Sequence, residues 1–200
     1  MTSKTKRNTA LLLFITFILL WLSRPCWSVR FDTNPAVREG DIIFHNSTSS
    51  QSRLIMLATG SPLTHCGIIV MKDNRPYVLE ATKTLRLTSL KDFIRRGRGG
   101  AYWLKRPRSS DSIRPVRYTH LLGRDYDLSF TFDNDKYYCS ELVYDIYKYQ
   151  FGITLCNPRM IKSYNTFGMD DKMRERGMNP NSLVVAPSDI FESDELQDVD

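Results

Sequence analysis

Two short β-rich runs, residues 65–70 and 77–81, flank a turn-forming stretch at residues 72–76 and predict a β-hairpin. A hairpin commits the chain to antiparallel pairing, in which the first residues of one strand face the last residues of the other. His65 opens the first run and Glu80 lies near the end of the second. We therefore predict that an imidazole and a carboxylate meet on adjacent strands.

Other segments predict the elements that surround the hairpin. Hydrophobic patterning and turn residues favour strands at 41–44 and 101–104, and helices at 50–58, 89–96, 113–122 and 138–149. With 200 residues, 42% of them hydrophobic, the chain can bury a core, and one domain is the expected number. We predict an α+β fold with a small, mainly antiparallel sheet packed against helices.

The N-terminus is typical of a secretory signal. A basic start precedes an apolar run at residues 10–22, which is shorter than the about 20 residues that span a bilayer. Cleavage is predicted after Ser28, leaving a catalytic domain at 29–188 in a periplasmic or secreted protein. Lipidation at Cys26 is a competing interpretation, which the preceding Arg24 and Pro25 disfavour, and an uncleaved membrane anchor is a third.

The charge distribution argues against a nucleic-acid partner. The formal net charge is +6, but residues 1–28 hold four of the cations and no acid, so the remainder is only weakly basic. Residues 189–200 are acidic and predict a solvated tail. A basic cluster predicts a solvated face or, alternatively, attraction to an anionic envelope or substrate; it comprises Arg95, Arg96, Arg98, Lys105, Arg106 and Arg108.

Without the leader the chain keeps three cysteines, an odd number, so at least one thiol stays free. Cys139 lies at the start of the predicted helix 138–149, where the helix dipole favours a thiolate. Cys66 follows His65, and in a strand its side chain points away from that histidine, so we predict a core position. Cys156 is either buried or paired with Cys66.

A nucleophilic thiol needs a base, and three histidines are present. His65 is the candidate, with Glu80 holding the ring nitrogen that faces away from the sulfur. His45 and His120 are predicted to be surface or structural residues. No Cys/His pair has metal-ligand spacing and no phosphate-binding glycine loop is present, so we expect neither metal nor cofactor.

An ordered series of motifs resembles the circularly permuted papain-like cysteine amidases and peptidases of the NlpC superfamily, YaeF/YiiX type. The resemblance covers residues 39–190, and its motifs are GDIIF at 40–44, ATGSPLTHCGI at 58–68, LEA at 79–81, GRDYD at 123–127 and YYCSELV at 137–143. It implies a permuted papain-like fold and a cysteine hydrolase with Cys139 as nucleophile, His65 as base and Glu80 as orienting residue.

Several assignments stay open at this stage. Tyr126 and Asp127 either line the cleft, together with Tyr138, or end the preceding helix. Asp41 is either a strand-start turn residue, which is the favoured interpretation, or a brace for the active-site loop. The expected substrate is a peptide, a cell-wall peptide or an N-acyl amine, in a membrane or envelope setting. An acyltransferase or lipid hydrolase is the alternative, which a large apolar groove would favour. A non-catalytic envelope-binding module is a further alternative.

Overall fold

The computed structural model describes residues 29–32, 34–109 and 111–199, so the predicted leader at 1–28 lies outside the described residues. Within the described part, no helix is long and apolar enough to cross a membrane.

The described strands form a six-stranded antiparallel sheet and a separate two-stranded ribbon. The sheet has the order β4-β3-β2-β1-β5-β8 and contains β1 (Ile42–His45), β2 (His65–Lys72), β3 (Arg75–Ala81), β4 (Leu85–Ser89), β5 (Trp103–Pro107) and β8 (Leu196–Asp198). The ribbon pairs β6 (Arg159–Met160) with β7 (Leu183–Val184). The mainly antiparallel sheet and the predicted hairpin β2–β3 are confirmed.

Five described α-helices surround the sheet. They are α1 (Ser52–Thr59), α2 (Leu90–Arg96), α3 (Cys139–Asp145), α4 (Asp170–Glu175) and α5 (Pro187–Phe191). A π-helical segment, Ile146–Phe151, continues α3, and 3₁₀ turns lie at Arg98–Gly100 and Ile161–Ser163. Ser89 caps α2 by accepting the Asp92 N–H at 3.2 Å, as its position before an apolar run predicts.

Strand alternation divides the core between the two faces of the sheet. On one face, Cys66, Ile68 and Leu79 belong to a cluster with α3 and α5. On the other face, Ile69 and Val78 belong to a cluster with α2. The even-numbered residues of β2 therefore lie under α3, and the odd-numbered residues face α2.

The helix predicted at 113–122 is wrong, because this stretch forms turns and irregular backbone. Pro115 removes one backbone donor, and two N–H groups bind side chains from elsewhere in the chain. Val116 donates to Glu39 Oε1 and Arg117 donates to Gln150 Oε1. Long-range bonds thus replace the helical ladder that the local pattern suggested.

The C-terminal segment was predicted to be a solvated tail, and this is wrong for the described residues. Ile190 and Leu196 are buried, and β8 pairs with β5 at the edge of the sheet. Val199 packs in the cluster under α2. These few apolar residues outweigh the acidic composition of the segment, because each removes apolar area from water.

Candidate active site

The start of α3 is fixed by its own hydrogen bonds. Glu141 Oε2 accepts the Tyr138 N–H at 3.2 Å, and Ser140 Oγ donates to the Val185 carbonyl at 2.7 Å. Cys139 is the first residue of this helix and is 2% exposed. Its sulfur therefore sits at the positive end of an anchored helix, in the position predicted from the sequence.

His65 and Glu80 meet on neighbouring strands, as the hairpin predicted. His65 Nε2 lies 2.7 Å from Glu80 Oε2, and the Glu80 side chain is completely buried. Gly67 allows the strands to approach here, since a Cβ on it would lie 2.4 Å from Val78 Cγ1 and 3.4 Å from Glu80 Cβ. The structure thus brings the carboxylate and the imidazole together.

Three further side chains hold Glu80. Thr88 Oγ1 and Arg96 Nη2 both hydrogen-bond to Glu80 Oε1, opposite the oxygen that binds His65, and Arg86 Nε pairs with the same Oε1 at 3.5 Å. Burial raises the pKa of Glu80, but the bonds from His65 and Arg96 outweigh it and hold this pKa well below its usual range. Glu80 is therefore a carboxylate at neutral pH.

Cys139 and His65 influence each other's ionisation. The neighbouring Cys66 and His65 side chains hold the pKa of the Cys139 thiol well below its usual range, against the opposing effect of burial. Burial lowers the pKa of His65, but the neighbouring Cys139 and Glu80 outweigh burial and raise that pKa to about 9. Both shifts favour a thiolate and an imidazolium over the neutral pair.

The His65 ring also rests on apolar neighbours. Phe93 of α2 stacks on His65 at 5.6 Å between ring centroids and on His45 at 4.3 Å. His45 is completely buried, and within the described structure neither of its ring nitrogens has a hydrogen-bond partner. Burial lowers the pKa of His45 to about 2, so its ring is neutral and acts by packing. His120 is exposed.

Cys66 has the predicted core position. It is completely buried in the cluster under α3, and burial, followed by the neighbouring Cys139, raises the pKa of its thiol well above its usual range. Cys156 is partly exposed, and Cys66, Cys139 and Cys156 are all free thiols in the part of the chain described. The Cys66–Cys156 pairing left open by the sequence is therefore absent.

The three predicted substrate contacts separate in the structure. Tyr126 lies beside the reacting sulfur: burial and then the negative charge of Cys139 raise its pKa well above its usual range. Asp127 is buried and organises its own loop by accepting bonds from Ser129, Thr131 and Asn134. Tyr138 is 1% exposed and its hydroxyl accepts the Val185 N–H, so it is a buried structural support of the site rather than a cleft-lining residue.

Asp41 is the strand-start turn residue that the sequence favours, and its side chain braces the sheet rather than an active-site loop. Both its oxygens bind Arg106 of β5, at 2.8 and 2.6 Å, and Oδ2 also accepts the Arg38 N–H of the preceding turn. It joins β5 to the start of β1, whereas His65 pairs with His45 at the end of β1.

The basic cluster is not a uniform solvated face. Arg96 binds Glu80, Arg106 binds Asp41, and Lys105 binds Asp198. Sequence reasoning missed Arg96 and Thr88 as supports of the site. The signal was available in principle, because a fully buried carboxylate requires a cation or several donors, and Arg96 lies in the last turn of the helix that follows β4.

An apolar groove opens beside the nucleophile. Its volume is about 790 Å³ including the open mouth. The lining includes Cys139, and its only charged members are Lys172 and Arg176; the others are Leu54, Ile55, Ala58, Thr59, Phe130, Ser140, Ile161, Tyr164, Thr166, Met169, Met173, Met178, Val184, Val185, Ala186 and Pro187. The groove can take an extended apolar group whose end reaches the Cys139 sulfur.

Comparison with known proteins found a matching family and a curated relative. Residues 36–200 match the sequence model of a family described as permuted papain-like amidase enzyme, YaeF/YiiX, C92 family. A curated relative, the uncharacterized protein YiiX of Escherichia coli (strain K12), is 34% identical over 170 residues, which cover 80% of this chain and 84% of that protein.

A solved structure shares the fold. The crystal structure of the metalloprotein yiiX from Escherichia coli O157:H7 matches with a TM-score of 0.73 and 33% sequence identity. The match covers 82% of this chain and 96% of that chain.

Proposed function

Because the chain belongs to the permuted papain-like amidase family of the YaeF/YiiX type, whose members are cysteine hydrolases in general, we propose that it cleaves an amide bond through Cys139, His65 and Glu80. The observation that carries the proposal is the buried contact of Glu80 with His65, 2.7 Å between Oε2 and Nε2, on the histidine that pairs with the Cys139 thiolate. Such an array is what a thiol hydrolase requires.

The first chemical step is acyl transfer to sulfur. The Cys139 thiolate attacks the amide carbonyl carbon, and the C–N bond breaks as the His65 imidazolium gives its proton to the leaving amine. The product is a thioester on Cys139 and a free amine. Glu80 stabilises the imidazolium before transfer and keeps the neutral ring in one tautomer afterwards.

The second step returns the enzyme. His65, now neutral, takes a proton from water as the water oxygen attacks the thioester carbonyl. The C–S bond then breaks, which releases the carboxylic acid and regenerates the Cys139 thiolate. In both steps the carbonyl oxygen gains negative charge. The Cys139 N–H at the start of α3 and the Tyr126 hydroxyl beside the sulfur are suited to donate hydrogen bonds to that oxygen.

The apolar groove supports a substrate with a long acyl chain. Nearly all lining side chains are apolar, and Cys139 lies among them. An acyl chain in the groove would bring its carbonyl carbon to the sulfur, whereas a polar cell-wall peptide would lose hydrogen bonds to water there. We therefore favour N-acyl amines among the amide substrates, with Lys172 and Arg176 facing an anionic group.

The same groove also supports acyl transfer as a second candidate function. A thioester on Cys139 can pass to an alcohol or amine instead of water, and the groove favours the acyl donor in either case. The two functions differ only in the acceptor. Adding candidate acceptors and identifying the acylated product by mass spectrometry separates them.

Metal chemistry has no assigned step in this proposal. The related yiiX structure is that of a metalloprotein, according to its description. In residues 29–32, 34–109 and 111–199 of the present chain, no three His, Cys, Asp or Glu side chains are grouped so as to hold a metal ion. The described side chains do not fit such a site.

The test is amine release from a panel of acyl-lysines, lipid amides and cell-wall peptides. The wild-type chain should release amine from acyl amides, and Cys139→Ala should not. The ratio kcat/KM should rise about fourfold for each methylene added until the groove is filled. Turnover of short peptides without any gain from acyl length would refute the acyl-chain assignment and keep the amidase; no turnover of any amide would refute the amidase.

A further inference from the structure

The most exposed large apolar side chain among the described residues is that of Phe167, which is 95% exposed. Phe167 and Gly168 form the corner of a β-turn. The Met169 N–H closes this turn on the Thr166 carbonyl at 3.0 Å, and Gly168 has a φ of 73°, as the third position of a type II turn requires. The turn therefore presents the Phe167 ring to solvent.

This turn belongs to the edge of the apolar groove. Thr166 and Met169, the two ends of the turn, both line the groove. The residue before the turn is tied to α1, because the Asn165 N–H donates to the Ala58 carbonyl at 2.9 Å, and Ala58 lines the groove as well. Phe167 consequently stands beside the groove rather than on a remote surface.

The β6–β7 ribbon adds two exposed apolar side chains beside the same groove. Met160 and Leu183 are register partners, and they are 43% and 49% exposed. The residue that follows each of them, Ile161 and Val184 respectively, lines the groove. We call Met160, Phe167 and Leu183 the apolar rim.

The charged residues of the groove have one sign. Lys172 and Arg176 line it, and in the part of the chain described no acidic side chain does, since the acids of α4, Asp170, Asp171 and Glu175, lie outside the lining. Lys172 binds Glu175 at 2.6 Å, whereas Arg176 forms no ion pair among the described residues. An apolar rim next to such a cation complements a bilayer with anionic head groups, in which acyl chains lie below phosphates.

We propose that the apolar rim docks on the surface of an anionic lipid bilayer, with Phe167 inserted among the acyl chains and Arg176 at the level of the phosphates. The groove then opens toward the lipid from which an acyl chain enters. This inference rests on the proposed function in taking the groove as an acyl-chain site. A protein partner fits less well, because three side chains offer far less than the about 800 Å² that each partner of a standard interface buries.

A direct measurement of insertion uses Phe167→Trp, which places a fluorophore at the corner of the turn. On vesicles of equal parts phosphatidylcholine and phosphatidylglycerol, bromine-labelled acyl chains should quench the emission of this variant more than that of the wild type. The other tryptophans are present in both chains, so the difference reports position 167. Quenching equal to that of the wild type would contradict insertion of this turn.

The main experiment measures the partition coefficient of the full-length chain on the same vesicles by lipid titration. Phe167→Ser is compared with Phe31→Ser, the matched control, since Phe31 is 66% exposed and lies outside the groove lining. All chains carry the same residues 1–28, so the ratio of partition coefficients isolates the substituted side chain. Thermal unfolding checks that each variant is folded. Because no amide substrate is present, the result is independent of amide hydrolysis.

Phe167→Ser should lower the partition coefficient about tenfold, because the phenyl ring no longer leaves water, and Phe31→Ser should change it less than about twofold. Arg176→Gln should lower it about fivefold on these vesicles and leave it unchanged on pure phosphatidylcholine. Equal effects of the two serine variants, or no binding of the wild type, would overturn the proposal. So would a Phe167→Ser variant that binds vesicles normally but loses self-association in sedimentation velocity, since a second copy of the chain would then cover the rim.

Discussion

Nε2 of His65 lies 2.7 Å from Oε2 of Glu80, and the carboxylate in this pair has no exposed surface. The contact joins β2 to β3 and leaves the other ring nitrogen of His65 for Cys139. It therefore couples the geometry of the sheet to the ionisation of Cys139. Substituting the residues that make or support this contact tests the coupling.

Glu80→Gln should lower kcat by about 100-fold or more while the chain stays folded. The amide keeps the size of the carboxylate but removes the charge that stabilises the imidazolium and fixes its tautomer. Steady-state kinetics and thermal unfolding of the same preparation check this. Wild-type turnover across the pH range would make Glu80 a structural strand residue.

Arg96→Gln should destabilise the protein by about 1–3 kcal/mol and lower kcat/KM, since it leaves Glu80 Oε1 with one donor fewer in a buried site. Arg95→Gln is the matched control. Arg95 precedes Arg96 in α2, its side chain is 76% exposed, and among the described residues it forms an ion pair only with Asp92 at the surface. Removing the Arg95 charge should therefore change the free energy of unfolding by at most about 0.5 kcal/mol. Urea unfolding of both variants gives the comparison, and equal losses would contradict the support role of Arg96.

Activity should fall as the pH rises through about 9, because His65 then loses the proton that the leaving amine needs. The contribution of His65 to stability follows from the same shift. Its pKa is raised above the ordinary value of 6.5, so this contribution is complete below pH 6.5 and is lost as the pH rises through about 9. The pKa of Cys139 is lowered below its ordinary value of 9.0, so its contribution is present above about pH 9 and is lost as the pH falls, which opposes the His65 limb. For Glu80 the pKa is lowered, so its contribution is present above about pH 4.5 and is lost as the pH falls.

Profiles of kcat/KM and of the thermal midpoint between pH 5 and 10.5 measure this prediction. His65→Asn should remove the His65 contribution from the stability profile between about pH 6.5 and 9, since the titrating group is gone. A wild-type activity that stays constant up to pH 10.5 would rule out His65 as the proton donor.

Ile55→Gln should raise KM for long-chain acyl amides about tenfold and leave short-chain substrates unchanged, because Ile55 lines the groove beside Cys139. Leu57→Gln is the matched control on the same helix: Leu57 is 48% exposed and lies outside the groove lining. An equal effect of the two substitutions on KM would mean that the acyl chain binds elsewhere.

The positions of His65, Glu80 and Cys139 were more predictable from the sequence than the side chains that support them. Hairpin geometry identified His65 with Glu80, and the helix pattern identified the position of Cys139, because these relations depend on neighbours in sequence or on one turn. The contacts of Arg96 and Thr88 with Glu80 depend on where β4 and α2 are placed relative to β3 in the folded chain. No local sequence pattern predicts that placement.

The two wrong predictions, a helix at 113–122 and a solvated tail at 189–200, have the same origin. Residues 113–122 look helical by apolar spacing, but Glu39 and Gln150, distant in sequence, bind their backbone N–H groups. Residues 189–200 look solvated by charge, but Leu196 fills the edge of the sheet. In each case a few tertiary contacts decided what composition and spacing alone could not.

The central claim is that Cys139 carries the acyl group, and the most direct measurement is the location of that group. An acyl amide is mixed with the enzyme, quenched in acid within the first turnover and digested, and the thioester is mapped among Cys66, Cys139 and Cys156 by mass spectrometry. The account predicts the acyl mass on Cys139 alone and no adduct in Cys139→Ala. An acyl group on Cys66 or Cys156, or turnover that persists in Cys139→Ala, would contradict it.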